Sequence, residues 1–234
     1  MPESRPVLTV GHAPADPKAV ALVLHGGREV SREPVSARQL AVVRMLPFGW
    51  RLARAAGADL AVARLRYAVR GWNGDEASPV ADAQWALDQL SRRFPGRPIG
   101  LVGHSMGGRT ALRVGGHPDV ASVVALAPWL PVGEPVEQLQ GRSVLIVHGA
   151  TDRMTSPKGS AFVAGQLVAA GVPASLISVT GEGHAMLHRP ALWHSLAAGF
   201  LLRTLLDRDP DQSVGGPAAN LLRQVFSGHA RITV

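Results

Sequence analysis

Apolar residues along this chain form short runs that alternate with longer amphipathic segments. Six runs are apolar nearly throughout, and they occupy residues 19–24, 59–66, 98–102, 120–126, 143–147 and 174–179. Uninterrupted aliphatic runs of this length are typical of parallel strands that helices cover on both faces. The pattern therefore predicts an α/β fold with a mainly parallel central sheet and helices on both faces.

The segments between these runs predict five helices. They cover residues 35–57, 79–94, 106–115, 157–171 and 190–206, with a break near Pro47 in the first. Ser78 and Ser156 precede prolines and are expected to cap two helices, because serine hydroxyls accept hydrogen bonds from free helical N–H groups. Gly57 and Gly171 can supply the left-handed residue at which a helix ends.

The pattern divides the chain into three parts. Residues 1–18 form an N-terminal segment, and residues 19–207 hold the alternating strands and helices of a single domain. Residues 208–234 form a C-terminal tail, in which residues 220–226 predict a short helix. Because terminal segments are poorly ordered unless something ties them down, we expect this tail to be a bare extension.

Composition excludes several classes of chemistry. The chain has no cysteine, which rules out disulfides, thiolate metal sites and a cysteine nucleophile. Its 22 Arg and 2 Lys exceed the 17 acidic residues and give a net charge of +7, but they are spread without a run. A nucleic-acid face normally clusters its basic residues, so no nucleic-acid partner is expected. No apolar tract reaches membrane-spanning length and no leader pattern opens the chain, so we expect a cytoplasmic protein without a membrane partner.

A serine motif stands between a predicted strand and a predicted helix. The segment Gly103-His104-Ser105-Met106-Gly107 matches the pattern G-x-S-x-G. In this context the pattern is typical of a nucleophile elbow, a sharp turn that exposes a serine hydroxyl at the carboxyl edge of a sheet. Chance alone would give about 0.2 such matches in a chain of this composition, so the interpretation depends on the strand and helix on either side.

A nucleophilic serine needs a base, and the base needs an orienting acid. Asp152 follows the predicted strand 143–147, and His184 follows the predicted strand 174–179. Because the carboxyl ends of parallel strands meet at one edge of a sheet, Ser105, Asp152 and His184 are expected to converge there. The sequence therefore predicts these three as catalytic residues.

A turn with the sequence His-Gly-Gly-Arg follows the first predicted strand. Backbone N–H groups of such a turn can hold an oxyanion, and each donor typically lowers the barrier by about 3–4 kcal/mol. We expect the oxyanion hole to consist of the N–H groups of Gly27 and Met106, with Arg28 as the alternative to Gly27.

With these motifs the chain resembles proteins of the α/β-hydrolase fold from about residue 19 to residue 206. The resemblance implies a serine esterase mechanism in which Ser105 attacks an acyl carbon, His184 transfers the proton and Asp152 orients the imidazole. It implies no metal and no organic cofactor. Relatives often insert a helical lid before the strand at 143–147, but only residues 128–142 lie there, so little or no cap domain is expected.

Side chains after the predicted strands are candidates for a substrate pocket. Trp129 and Trp72 are the preferred substrate contacts, and Arg28 and Arg32 beside the glycine turn could steer a carboxylate-bearing substrate. We predict hydrolysis of small to medium carboxylic esters through an acyl-enzyme, with a small-molecule ester as the partner. Thioester hydrolysis, acyl transfer and a non-catalytic binding module on the same fold stay open, as does the oligomeric state.

Two other motifs compete with the triad. Residues 103–110 resemble a phosphate-binding P-loop, but Arg109 stands where that motif needs lysine. His184 and His188 have the spacing of two zinc ligands, but Ala185 stands where a glutamate base would be. Neither motif is expected to bind its ligand.

Nearby acids and histidines have simpler expected roles. Glu134 and Glu137 could supply the acid of a variant triad, but they lie among prolines and glycine and are expected to be solvated loop charges. Glu182 is expected to be a surface charge, and His188 is a spare candidate for the base. Three further histidines beside the glycine turns and the elbow are expected to be structural: His25, His104 and His148.

Overall fold

Eight strands form one sheet in the computed structural model, which describes residues 4–234. They are β1 (Val7–His12), β2 (Ala19–Leu24), β3 (Leu60–Arg66), β4 (Ile99–His104), β5 (Val120–Leu126), β6 (Ser143–Gly149), β7 (Ala174–Val179) and β8 (Arg231–Thr233). Their order across the sheet is β1-β3-β2-β4-β5-β6-β7-β8. Strand β1 pairs antiparallel with β3, and the other neighbours pair in parallel.

Helices connect the strands and lie on both sides of the sheet. They are α1 (Leu40–Val43), α2 (Leu46–Ala56), α3 (Ser78–Arg93), α4 (Met106–Val114), α5 (Pro157–Ala169), α6 (Pro190–Leu206), α7 (Pro210–Ser213) and α8 (Gly216–Phe226). A proline stands in the first turn of six of them, α2, α3, α5, α6, α7 and α8. That position costs no hydrogen bond, because the first helical N–H groups have no partner inside the helix.

The core has two halves, one on each face of the sheet. Alternate strand residues point to opposite faces, so Val20 and Leu22 join one half while Ala19 and Ala21 join the other. Side chains of α3, α4 and α5 cover the first face, and side chains of α2, α6 and α8 cover the second. The aliphatic strand runs are buried on both faces, which explains why they lack polar alternation.

The predicted α/β fold is confirmed. All six predicted strands are present with bounds within two residues of the prediction, and helices α3 to α6 match their predictions similarly. The prediction of one helix over residues 35–57 is wrong at its start, because α1 begins at Leu40. Gln39 has an extended backbone, and Pro34 forms a bridge with Val69. The second helix begins beside Pro47, as the expected break indicated.

One of the two predicted serine caps is confirmed. Ser156 accepts a hydrogen bond from the Gly159 N–H at 3.0 Å and caps α5. Ser78 is already inside α3, whose cap residue is Ala77 with φ 43° and no side-chain hydrogen bond. The Ser78 hydroxyl instead donates to Glu76 at 3.0 Å. The prediction for Ser78 is therefore wrong.

The tail at residues 208–234 is docked, contrary to the expected bare extension. Helix α8 buries Leu222 and Val225 against the second face, and β8 pairs with β7 through Ile232 and Ile177. The expected short helix at 220–226 is the second half of α8. Residues 7–12 of the N-terminal segment also belong to the sheet as β1. The domain therefore extends beyond residues 19–207 at both ends.

The connection between β5 and β6 contains a single turn of 3-10 helix, residues Glu137–Leu139. This connection is where a cap domain was considered from the sequence. Its shortness confirms that the carboxyl edge of the sheet carries little or no lid.

Candidate active site

Ser105 lies at a sharp turn between β4 and α4. Its backbone has φ 57° and ψ −120°, a conformation that side chains rarely adopt and that is typical of a strained, functional turn. The turn requires glycine on both sides, because a Cβ at Gly103 would overlap the Gly107 carbonyl and a Cβ at Gly107 would overlap the backbone of Leu24. This strand–turn–helix geometry is the one predicted for a nucleophile elbow.

Asp152 lies in the loop after β6, and five hydrogen-bond donors surround its buried carboxylate. Oδ2 receives His184 Nδ1 at 2.9 Å, His148 Nε2 at 3.1 Å and Thr155 Oγ1 at 2.7 Å. Oδ1 receives the backbone N–H of Met154 at 2.8 Å and that of Thr155 at 3.1 Å. Burial alone would raise the pKa of Asp152, but hydrogen bonds led by those from Thr155 outweigh it and lower the pKa to about 2. The carboxylate is therefore ionised at neutral pH.

His184 follows β7 and pairs with Asp152, as the sequence predicted. Because an ionised carboxylate only accepts hydrogen bonds, Nδ1 of His184 carries the proton and Nε2 has a free lone pair. His104 Nε2 donates to the His184 carbonyl oxygen at 3.0 Å, and the two rings lie 4.7 Å apart. Burial lowers the pKa of His104 to about 3, so the imidazole that donates this hydrogen bond is uncharged at neutral pH.

Ser105 and His184 line the same cleft, next to Thr155 and Met154. Within residues 4–234 no hydrogen bond joins the serine hydroxyl to the imidazole. Serine–histidine contacts in substrate-free sites are often long and tighten only with substrate. The structure therefore brings Ser105, His184 and Asp152, the predicted nucleophile, base and acid, to one edge of the sheet, without a hydrogen bond from Ser105 to His184 in residues 4–234.

Gly27 and Met106 both line the cleft beside Ser105. In the described part of the chain, neither backbone N–H donates to another group, so both are free for an oxyanion. The Arg28 N–H is committed to the Arg70 carbonyl at 2.9 Å, which removes the alternative to Gly27. A Cβ at Gly27 would overlap the Arg70 carbonyl and the Met106 side chain, so glycine is required there.

The cleft has a volume of about 290 Å³. Its wall is formed by residues that follow five different strands: Gly27, Arg28, Glu29, Ser105, Met106, Trp129, Met154, Thr155 and His184. Volume alone does not identify this cleft as the active site. A cavity of about 320 Å³ lies among Val144, Val172 and Phe226, at the start of β6 and the end of α8. The acid–base groups distinguish the first cleft.

Trp129 lines the cleft, but Trp72 does not. Trp72 is 3% exposed and contacts Trp129 edge to face, with 6.0 Å between ring centroids. The guanidinium of Arg109 lies 3.7 Å from the Trp72 ring centre and 4.6 Å from that of Trp129. The prediction of Trp72 as a direct substrate contact is therefore wrong. Trp72 instead packs against the side of Trp129 that faces away from the cleft.

Glu134 is buried rather than solvated, which corrects the expectation from its sequence neighbours. Its carboxylate forms ion pairs with Arg109 and, at 2.8 Å, with Arg113. Glu137 is exposed and accepts a hydrogen bond from the Val136 N–H. Neither glutamate contacts His184, whereas Asp152 does, so Asp152 stays the candidate acid.

Glu182 is also buried, although the sequence predicted a surface charge. It accepts the Arg189 N–H through its side chain, and its carbonyl accepts the Thr151 hydroxyl at 2.8 Å. His188 is largely exposed and lies 3.5 Å from Glu182 on the outside of this loop, so it is not a spare base in the cleft. Glu182 therefore braces the loop that carries His184.

Arg32 pairs with Glu76 on the surface at 2.7 Å, whereas Arg28 lines the cleft. Of the two arginines considered from the sequence, Arg28 alone lies beside the candidate nucleophile. The residues 4–234 contain no group of three or more acidic or histidine side chains that could hold a metal. None of the helices in this range is both long and apolar enough to span a membrane.

Two residues at the site had no assigned chemistry in the sequence interpretation. Thr155 contacts both Asp152 and His184, the latter at 3.1 Å, and His148 contacts Asp152. The spacing of His148, four residues before the acid, was visible in the sequence. Nothing in the sequence indicated that its side chain turns toward the carboxylate.

Comparison with known proteins supports this reading of the fold. Residues 68–142 match the family model described as serine aminopeptidase, S33. The matched segment contains Ser105 but ends before Asp152 and His184. A comparison with curated protein sequences finds no match.

Several solved structures share the fold. Est1E from Butyrivibrio proteoclasticus, with ferulic acid bound, has a TM-score of 0.65 at 14% identity, covering 86% of this chain and 96% of that chain. XC6422 from Xanthomonas campestris, described as an α/β serine hydrolase without lid, has a TM-score of 0.62 at 18% identity over 86% and 89% of the two chains. Esterase PE8 has a TM-score of 0.62 at 21% identity over 85% and 99%.

The strand order, the elbow and these similarities together define the class. The chain has the α/β-hydrolase fold. The similar proteins named by activity are serine hydrolases or esterases, one of them without a lid.

Proposed function

We propose that this protein is a serine hydrolase that cleaves small to medium carboxylic esters through an acyl-enzyme. One observation carries the proposal: His184, which pairs with buried Asp152 at 2.9 Å, lines a cleft together with an elbow serine and two free N–H groups. These are the base, acid, nucleophile and oxyanion donors that acyl transfer requires.

In the acylation step, Ser105 Oγ attacks the acyl carbon and its proton passes to His184 Nε2. The negative charge of Asp152 stabilises the imidazolium that forms, and the N–H groups of Gly27 and Met106 hold the carbonyl oxygen as it becomes an oxyanion. The imidazolium then gives its proton to the leaving alkoxide, and the C–O bond of the ester breaks. The alcohol departs and the acyl group stays on Ser105.

In the second step, water attacks the acyl-enzyme. His184 takes a proton from the water, the same oxyanion donors hold the second tetrahedral intermediate, and the proton returns to Ser105 Oγ as the acid leaves. Neither step needs a metal or an organic cofactor. A thiol ester or a different acceptor alcohol would use the same groups, so thioester hydrolysis and acyl transfer belong to the same proposal.

The cleft supports a small to medium substrate. Its volume of about 290 Å³ is at the low end of the roughly 300–1,000 Å³ typical of ligand pockets. Trp129 offers an apolar, aromatic wall for the acyl or alcohol group. Est1E, a protein of similar fold, binds ferulic acid, which makes an aromatic acyl ester a reasonable probe.

A non-catalytic binding module is the second candidate. The observation that favours it is the missing hydrogen bond between Ser105 and His184 within residues 4–234. A serine that is never deprotonated would leave the cleft able to bind an ester without cleaving it.

Fluorophosphonate labelling followed by intact-mass measurement separates the two candidates. Wild type should gain one adduct, and the Ser105→Ala and His184→Ala variants should gain none. A series of p-nitrophenyl esters from acetate to octanoate, with methyl ferulate added, should show turnover that falls as the acyl chain outgrows the cleft. If wild type takes no label and cleaves none of these esters, the binding-module candidate replaces the hydrolase.

A pair of arginine variants tests whether the cleft steers anionic esters. Arg28 lines the cleft and Arg32 pairs with Glu76 outside it, so Arg32→Ala is the matched control. Arg28→Ala should lower the preference for a carboxylate-bearing ester over its neutral analogue several-fold, roughly as expected for one screened charge contact. Equal preferences in wild type and Arg28→Ala would remove Arg28 from substrate recognition.

A further inference from the structure

A second histidine shares the carboxylate of Asp152 with His184. His148 stands at the end of β6 and is 1% exposed. Its Nε2 lies 3.1 Å from Asp152 Oδ2, the same oxygen that receives His184, and its Nδ1 lies 2.7 Å from the Oγ of Ser160 on α5. Both ring nitrogens therefore have a buried partner.

These partners fix the protonation of the His148 ring. Because the Asp152 carboxylate only accepts hydrogen bonds, Nε2 of His148 must carry a proton. Nδ1 then accepts the proton of the Ser160 hydroxyl. Burial is the main reason that the pKa of His148 is lowered to about 4, so at neutral pH the ring is an uncharged donor with its hydrogen on Nε2.

The charged and titratable groups around this oxygen are few. His184 contacts it directly, and His104 packs on His184 from the elbow. The guanidinium of Arg44 donates to the Ala185 carbonyl at 2.7 Å. The buried carboxylate of Glu182 belongs to the histidine loop itself, and Arg189 donates to this carboxylate and to the Thr180 carbonyl. His148 thus adds a hydrogen bond to Asp152 without adding a charge.

We propose that His148 is a positioning residue for the acid of the triad, with Ser160 holding His148 in turn. The hydrogen bond from His148 fixes the Oδ2 atom that orients His184 and draws part of the negative charge away from the Asp152–His184 contact. Asp152 keeps its full formal charge, so it still stabilises an imidazolium. This role rests on the proposed function, because it acts through the base of that reaction.

Nitrogen-15 NMR of histidine-labelled protein tests the arrangement without any substrate. At pH 7 the nitrogen-15 shifts of His148 should be those of a neutral imidazole with its hydrogen on Nε2. A ring with the hydrogen on Nδ1, or a positively charged ring, would overturn the proposal. This readout is independent of turnover, so it stands or falls separately from the hydrolase activity.

Three variants test the effect on the base. His148→Leu removes the donor, His148→Gln keeps an N–H group near the position of Nε2, and Ser160→Ala removes the group that holds His148. His194→Leu is the matched control, because His194 packs on Phe48 on the other face of the sheet. Thermal unfolding of each variant identifies any that fails to fold, and Ser160→Ala, the mildest change, carries the test if His148→Leu does fail.

The acid limb of the pH profile for kcat/KM and the NMR titration midpoint of His184 are the informative measurements. For His148→Leu both should move to higher pH by about 0.5–1, the equivalent of one ordinary hydrogen bond. The value of kcat should fall about 10-fold or more, since the carboxylate loses a fixed orientation. Ser160→Ala should move both midpoints less in the same direction, and His148→Gln should restore both toward wild type.

Unchanged midpoints in a folded His148→Leu or Ser160→Ala protein would overturn the proposal. So would equal losses in His148→Leu, His148→Gln and the control His194→Leu, which would indicate packing alone. If wild type fails to react with a fluorophosphonate while the His184 titration still responds to His148, the ester hydrolase proposal fails and the link between His148 and His184 remains.

Discussion

Asp152 and Glu134 are both buried carboxylates at the carboxyl edge of the sheet, and their surroundings differ in kind. Asp152, after β6, is held by two histidines, a hydroxyl and two backbone N–H groups. Glu134, after β5, is held by the guanidinium groups of Arg109 and Arg113. Both side chains are removed from water, so both need partners, but only one set of partners is uncharged.

This difference explains which acid can serve the reaction. Two guanidinium charges balance the carboxylate of Glu134, so its net field does not favour an imidazolium nearby. Asp152 is stabilised by neutral donors and keeps its negative charge, which the mechanism needs when His184 becomes protonated. Both loops follow parallel strands, so position along the sheet does not distinguish them. The charge of the neighbours does.

The largest expected difference between the two carboxylates is in rate. Asp152→Asn should lower kcat by roughly 10³–10⁴-fold, because the amide no longer fixes the His184 tautomer or stabilises its charged form. Glu134→Gln should leave kcat within about 10-fold, since it touches no reacting group. Steady-state hydrolysis of p-nitrophenyl acetate measures both. Similar losses in the two variants would mean that Glu134 takes part in the reaction.

The second difference is in stability. Glu134→Gln leaves Arg109 without its counter-charge at a buried site and should lower the free energy of unfolding by about 3–5 kcal/mol. Urea denaturation followed by circular dichroism measures it. The matched double variant Arg109→Met with Glu134→Leu removes both charges of the ion pair. Most of the lost free energy of unfolding should therefore be recovered. A loss below about 1 kcal/mol in Glu134→Gln would show that water reaches the ion pair.

The third difference is the response of stability to acid. The pKa of Asp152 in the folded protein, about 2, is lower than its ordinary value, so the unfolded chain binds this proton first as the pH falls. The stability that ionised Asp152 contributes is present above about pH 4 and is lost as the pH falls toward 2. Urea unfolding at several pH values between 5 and 2.5 should therefore show a steeper loss for wild type than for Asp152→Asn. Parallel curves would mean that the donors around Asp152 do not hold its charge.

The smallest expected difference is in substrate preference. Glu134→Gln loosens Arg109, which lies against Trp72 and Trp129, so the cleft wall at Trp129 should become less rigid. We expect the acetate-to-octanoate preference to change about two- to five-fold, as for a change of about 0.5–1 kcal/mol in pocket contacts. Asp152→Asn should lower the rate of hydrolysis of all these esters by the same factor. An unchanged chain-length profile in Glu134→Gln would mean that the Glu134–Arg109 ion pair does not affect the cleft wall at Trp129.

The parts of the fold that the sequence predicted are those with a strong local signal. Strands β2 to β7 are continuous apolar runs, and their loops position Ser105, Asp152 and His184 through parallel topology alone. Strand β1 alternates exposed and half-buried residues at the sheet edge, and β8 has three residues, so neither forms such a run. Both were missed for that reason.

The missed parts of the site depend on contacts between distant residues. Trp72 follows a strand on the catalytic side, but its burial is set by Arg109 and Trp129, which come from other elements. Glu134 was expected in water because its loop is rich in proline and glycine, and its partners lie on α4. Side-chain depth is a tertiary property, which spacing along the chain does not encode.

Strand β8 also determines when during synthesis this edge of the sheet can be completed. The Val234 carbonyl accepts the Thr180 N–H at 2.7 Å and its hydroxyl at 2.6 Å, directly after β7 and before the His184 loop. Residues 231–234 follow every other described strand and helix along the chain, so the nascent chain carries β7 as an open edge until they are made. Open edges invite pairing with other chains. Until β8 is added, the nascent chain therefore exposes the edge of β7 to pairing with other chains.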